Sequence, residues 1–98
     1  MGEAKTIYYS MEWNDLKKRV AAEYDRRQLK SDVRYRALDN IGDYLKACHK
    51  DIVVNVIALI SIDRDDFKEA YCNHKPSKKL SGAESSAINE IYNQLRML

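Results

Sequence analysis

The sequence has few of the residues that punctuate a chain. Its 98 residues include three glycines and a single proline, Pro76. Sheet-rich domains turn often, and tight turns draw on Gly and Pro for backbone angles that other residues resist. Their scarcity points to a few long elements, which means helices. The two cysteines, Cys48 and Cys72, are too few for a disulfide framework. Long apolar runs are also missing. The longest, Ile52–Ile62, covers eleven residues and is interrupted by Asn55 and Ser61, whereas a bilayer-spanning helix needs about 20. Residues Met1–Ser10 lack the apolar core of a secretory signal. Together these absences predict a cytoplasmic protein with reduced thiols and no membrane association.

What is present suits a small folded unit. Hydrophobic residues make up 45% of the chain and charged residues 33%, enough for one modest core in a single helical domain spanning residues 1–98. The net charge of +2 conceals an uneven distribution. From Lys17 to Arg36 eight basic residues stand against three acidic ones, and from Asp39 to Glu69 seven acids stand against four bases.

Apolar spacing sets out the elements. Lys5–Tyr9, rich in β-branched and aromatic residues, reads as a short strand or an extended arm. Ser10 is placed to cap a first helix over Met11–Leu29, with Trp13, Leu16, Val20 and Tyr24 as its apolar stripe. Asp15, Arg19, Glu23 and Arg27 recur every four residues with alternating sign, an ion-pair ladder on a solvated face. Ser31 or Asp32 caps a second helix over Val33–His49, whose stripe is Leu38, Ile41, Leu45 and Cys48. Gly42 falls in its middle, either to admit a close neighbour or as a tolerated weakness.

The segment Asp51–Ile62 is apolar on both faces of a strand, and periodicity does not separate strand from helix at this length. A strand there would have only Lys5–Tyr9 to pair with. Helix is therefore favoured, with Asp51 as cap and Ile52, Val56, Leu59 and Ile60 buried. Asp63 with Asp66 marks the start of a short helix carrying Phe67, Ala70 and Tyr71. Asn73–Leu80 reads as a loop. Ser81 and Glu84 form a capping box that opens a last helix over Gly82–Met97, with Ala87, Ile88, Ile91, Tyr92 and Leu95 on one face. The predicted fold is an all-α bundle of four or five helices, with at most one short N-terminal strand. The last helix should pack on the second.

Three constellations of side chains are candidates for chemistry. Cys48, His49, Cys72 and His74 are zinc-type donors, but adjacent residues on a helix project about 100° apart and do not converge on one ion. Asp63, Asp65 and Asp66 lack the pattern of a calcium loop, and capping accounts for them. Neither set implies a metal or a cofactor, and no nucleophile motif or carboxylate pair marks an enzyme. The basic stretch is the third. Lys18, Arg26, Arg27 and Lys30 on one helix surface, with Arg34, Tyr35 and Arg36 beyond the turn and Lys75, Lys78 and Lys79 in the loop, would make a patch for nucleic acid or a protein partner.

Seven tyrosines accompany one Trp and one Phe. Tyr is enriched at interfaces, so Tyr8, Tyr9 and Trp13 are candidates for an aromatic anchor, although Trp13 serves equally well closing a small core. In size and uneven charge the chain is similar to small accessory proteins of bacteriophages and prophages, which often act by binding a host protein, although no motif carries that likeness. The sequence leads to the expectation of a non-enzymatic protein-interaction module, a regulator or inhibitor of a larger nucleic-acid-processing machine, with a protein partner or a second copy of itself. The alternative is a nucleic-acid-binding module using residues 17–36.

Overall fold

The computed structural model describes residues 11–50 and 56–97, and every regular element among them is helical. Five helices follow one another: α1 (Trp13–Arg26), α2 (Asp32–Cys48), α3 (Ile57–Ile60), α4 (Arg64–His74) and α5 (Gly82–Arg96). The all-α bundle is as expected. The strand or arm at Lys5–Tyr9 and the cap residues Ser10 and Asp51 lie outside the described residues, as does Ile52.

α5 is the central helix. It begins on the capping box read from the sequence: Ser81 Oγ accepts from the Glu84 N–H, and Glu84 Oε1 accepts from the Ser81 N–H, each at 3.1 Å. Its predicted stripe, Ala87, Ile88, Ile91, Tyr92 and Leu95, is buried throughout. It packs most extensively on α2, then on α1 and α4. The Tyr92 hydroxyl points across the core at the carbonyls of Leu59 (3.0 Å) and Ile62 (2.8 Å), tying the α3 turn to α5.

α2 starts where Ser31 Oγ accepts the Arg34 N–H at 3.3 Å. Leu38, Ile41 and Leu45 are buried as expected. Cys48 is not: it is the last helical residue, where the stripe has run past the core, and it is exposed. Gly42 is buried beneath the Trp13 indole, so closely that a Cβ there would lie 2.5 Å from Trp13 Nε1. Trp13 itself is only 3% exposed. Of its two readings, anchor or closure of a small core, the second describes it: the ring covers the α2 backbone.

The other ends also differ from the sequence expectation. α1 begins at Trp13, with Glu12 as its N-cap and no side-chain cap. It stops three residues short of Leu29. Gln28 adopts a left-handed φ of 59°, Leu29 N–H returns to Tyr24 O at 2.7 Å, and Gln28 N–H returns to Asp25 O at 3.0 Å. These are the two bonds of a Schellman motif, formed here without glycine. α3 is a single turn, so Ile60 projects about 100° away from the buried Leu59. It is 44% exposed rather than in the core, while Val56 and Leu59 are buried.

α4 is capped by Asp63, whose carboxylate accepts from Asp65 N–H (3.0 Å) and Asp66 N–H (3.3 Å). It runs into the expected loop as far as His74. Lys75, which precedes Pro76, is forced into extended backbone (ψ 141°) and ends it. Phe67 and Tyr71 face inward, whereas Ala70 is exposed.

Candidate interaction groove

Among the described residues, one face of α2 is left uncovered by its neighbours. Val33, Arg36, Asn40, Asp43 and Ala47 recur at steps of three and four, so they share a side of the helix. Along that side runs an open groove. At the start of α2 it faces the start of α5 through Ala83 and Glu84, in a section of about 210 Å³. Midway it faces Tyr71, His74 and Pro76 of α4 and its following turn, in a section of about 480 Å³. At the end of α2 it opens beside Ala58, Ser61 and Ile62, in a section of about 620 Å³. Consecutive sections share Asn40 and Lys75, then Ala47.

Two polar clusters line it. In the first, Glu84 is 3% exposed and is met by the Tyr71 hydroxyl, the Lys75 ammonium and the Ser81 N–H. Burial pushes its carboxyl up, but the bonds from Lys75, Tyr71 and Ser81 outweigh this and hold it at about 2. Burial and the Glu84 carboxylate together raise the Tyr71 phenol. The second cluster surrounds Tyr44. Its ring stands 4.9 Å from His74 and 5.3 Å from His49, edge-on to Tyr71 at 5.4 Å, and its hydroxyl lies 3.1 Å from His49 Nε2. Burial raises the Tyr44 phenol, and so does Cys48. Cys48 Sγ lies 3.8 Å from His74 Nδ1. The fold thus gathers Cys48, His49 and His74 around one tyrosine. It sends Cys72 elsewhere, with its thiol on the Lys78 carbonyl at 3.2 Å. Among the described residues no three His, Cys, Asp or Glu side chains converge to hold a metal ion.

The expected basic patch is dispersed. Lys18 and Arg27 are nine residues apart, two and a half helical turns, and so face opposite ways. Arg26 and Arg27 both bind Glu23, and Arg27 also reaches the buried Glu90 of α5 at 3.3 Å. The hydrogen bond from Arg26 lowers the Glu23 carboxyl against the opposing effect of desolvation, and the charges of Arg26 and Arg27 add to the lowering. Lys30 pairs with Asp25 at 3.5 Å, and Arg34 lies 5.4 Å over the Tyr24 ring. Tyr35 is half-buried against the core. Lys75 is bound to Glu84, and Lys78 donates to the Asn73 carbonyl. Lys18, Arg36 and Lys79 are exposed, and only Arg36 of these lies in the groove. Tyr8 and Tyr9 lie outside the described residues.

Tyrosine enrichment, read as an interface signal, has a core explanation in the described residues. Tyr24, Tyr44, Tyr71 and Tyr92 are all buried. All but Tyr24 find a partner for the hydroxyl. Sequence reasoning missed the groove because it is defined by what the neighbouring helices leave open, although the spacing of Val33, Arg36, Asn40 and Ala47 was visible. No helix among the described residues is long and apolar enough to cross a membrane. No protein-family model matches the chain, and no curated protein or solved structure matches it.

Proposed function

We propose that this protein is a protein-interaction module that receives a segment of a partner protein in the α2 groove. The observation that carries this reading is the continuity of the groove along one helix face, with Val33 standing 61% exposed at one end. Scattered exposed apolar residues are ordinary, but one set in a concave strip beside Ala37 and Ala83 is a docking feature. Charge indicates the chemistry of the partner. At that same end the starts of α2 and α5 present their positive poles, and Arg36 lines the wall. The matching segment carries apolar side chains flanked by carboxylates. Regulation or inhibition of a larger nucleic-acid-processing machine suits a binder of this size, and two free thiols suit the reducing cytoplasm.

Affinity capture with wild-type, Val33→Glu, Ala47→Glu and Lys18→Glu baits tests this reading, with nuclease treatment to remove tethering nucleic acid. A partner should be retained by wild type and Lys18→Glu, and reduced at least about tenfold by either groove variant. Retention unchanged in both groove variants would overturn the reading. Light scattering showing a homodimer that Val33→Glu dissolves would identify a second copy as the occupant. A low-salt mobility shift abolished by Lys18→Glu would favour nucleic-acid binding instead. That alternative is the weaker one, because Arg26, Arg27, Lys30 and Lys75 already spend their charge on internal carboxylates.

A further inference from the structure

We propose that Cys48 is an imidazole-activated thiol, a site of thiol–disulfide exchange with small disulfides at the open end of the α2 groove. A free cysteine alone would say nothing. Here the sulfur is exposed, an imidazole nitrogen stands 3.8 Å from it, and the space beside it is open among the described residues. The thiolate is the nucleophile, so a thiol gains reactivity from a neighbour able to take its proton. His74 Nδ1 is such a neighbour when the ring proton sits on Nε2. The ring is held against Tyr44 at 4.9 Å, which fixes the approach of His74 to the sulfur. Lys50 lines the same opening.

The other cysteine supplies an internal contrast. Cys72 lies two residues from His74 on the same helix, yet it is half-buried and donates to the Lys78 carbonyl at 3.2 Å. A carbonyl accepts a hydrogen bond but does not take up the proton, so this contact offers Cys72 no general base.

The step balances without a further reagent. The Cys48 S–H proton passes to His74 Nδ1 as the sulfur attacks one sulfur of the incoming disulfide. The new S–S bond forms as the old one breaks, and the departing thiolate recovers the proton from the imidazolium. The products are a mixed disulfide on Cys48 and one equivalent of free thiol. The incoming disulfide is reduced as Cys48 is oxidised.

The test uses the full chain and an aromatic disulfide reagent whose released thiol is coloured. Cys72→Ser isolates Cys48, and Cys48→Ser isolates Cys72. Cys48 should react at least about fivefold faster than Cys72, and His74→Ala should remove most of that advantage. Free imidazole added to the His74→Ala protein should restore the Cys48 rate while leaving Cys72 unchanged. A merely structural role for His74 predicts the opposite pattern, with loosening of α4 speeding Cys72 and imidazole having no effect. That pattern overturns the proposal, as does a Cys48 rate that His74→Ala changes by less than about twofold.

Discussion

α1 and α5 lie against each other, yet their ends are made by different means. α5 opens on side chains three residues apart, Ser81 and Glu84, which cap each other's backbone, and Lys75 and Tyr71 reinforce the same carboxylate. α1 opens on Glu12, whose side chain caps nothing, and closes on Gln28 in a backbone region that suits glycine. Its start is fixed instead by a remote contact, the Trp13 indole laid on Gly42 of α2. One helix has its boundaries written locally, and the other borrows a boundary from a neighbour.

The largest effect should come from the reinforced start of α5. Glu84→Ala leaves the Lys75 ammonium, the Tyr71 hydroxyl and the Ser81 N–H without their shared acceptor. Removing one member of a buried charged set costs about 3 kcal/mol. Urea unfolding at pH 7 measures it, and a loss below about 1 kcal/mol would erase the contrast with α1. Acid provides an independent check. The folded carboxyl is held at about 2 against an ordinary 4.5, so its contribution is complete above pH 4.5 and is lost as the pH falls towards 2. The stability of wild type should decline steeply through that window. Glu84→Ala should show a correspondingly shallower decline, because the group that titrates there is gone.

Next in size is the borrowed start of α1. In an exposed helix Gly→Ala stabilises by up to about 1 kcal/mol. At Gly42 the sign should reverse, because the added methyl meets the indole 2.5 Å away at Nε1 and 3.1 Å away at Cε2. Both atoms belong to a rigid ring enclosed by the core. Overpacking of this kind costs about 1–3 kcal/mol. Trp13 is the sole tryptophan, so its displacement can be read directly as a red shift in fluorescence. A stabilised Gly42→Ala protein with an unmoved spectrum would show that α1 does not depend on this contact.

This comparison explains how far the sequence could be read. α5 and α2 were legible nearly to the residue. Their caps, Ser81 with Glu84 and Ser31, act within three residues, and their apolar stripes face one core, apart from Cys48 at the end of α2. The span of α1 was overestimated at both ends. Met11 and Glu12 resemble helix residues in composition, and nothing nearby announces that Trp13 belongs on Gly42. At the other end Gln28 carries no mark of a left-handed turn. The burial of Glu84 was equally hidden, since a capping-box glutamate is ordinarily at the surface and only the packing of α4 puts Tyr71 and Lys75 over it. The groove followed the same logic. Its α2 residues were readable as a face, but the choice between exposed face and buried face was made by α4 and α5.

The smallest expected effect sharpens the contrast at the other end of α1. The left-handed conformation of Gln28 crowds its Cβ against the backbone, at a cost of about 1–2 kcal/mol relative to the right-handed region. Gln28→Gly removes that crowding while leaving both returning bonds, Leu29 N–H to Tyr24 O and Gln28 N–H to Asp25 O, in place. Glycine also loosens the unfolded chain, which takes back about 0.4–1 kcal/mol. The net gain should be about 0.5–1 kcal/mol, seen as a higher urea midpoint with an unchanged slope. Gln28→Val should move the other way, because a β-branched side chain fits the left-handed region worst. A stabilisation by glycine of this size would mean that α1 carries a removable strain that α5, capped by its own side chains, does not. No gain from glycine, together with no loss from valine, would mean that the turn after Arg26 relaxes freely and that the two helices end less differently than their backbone angles imply.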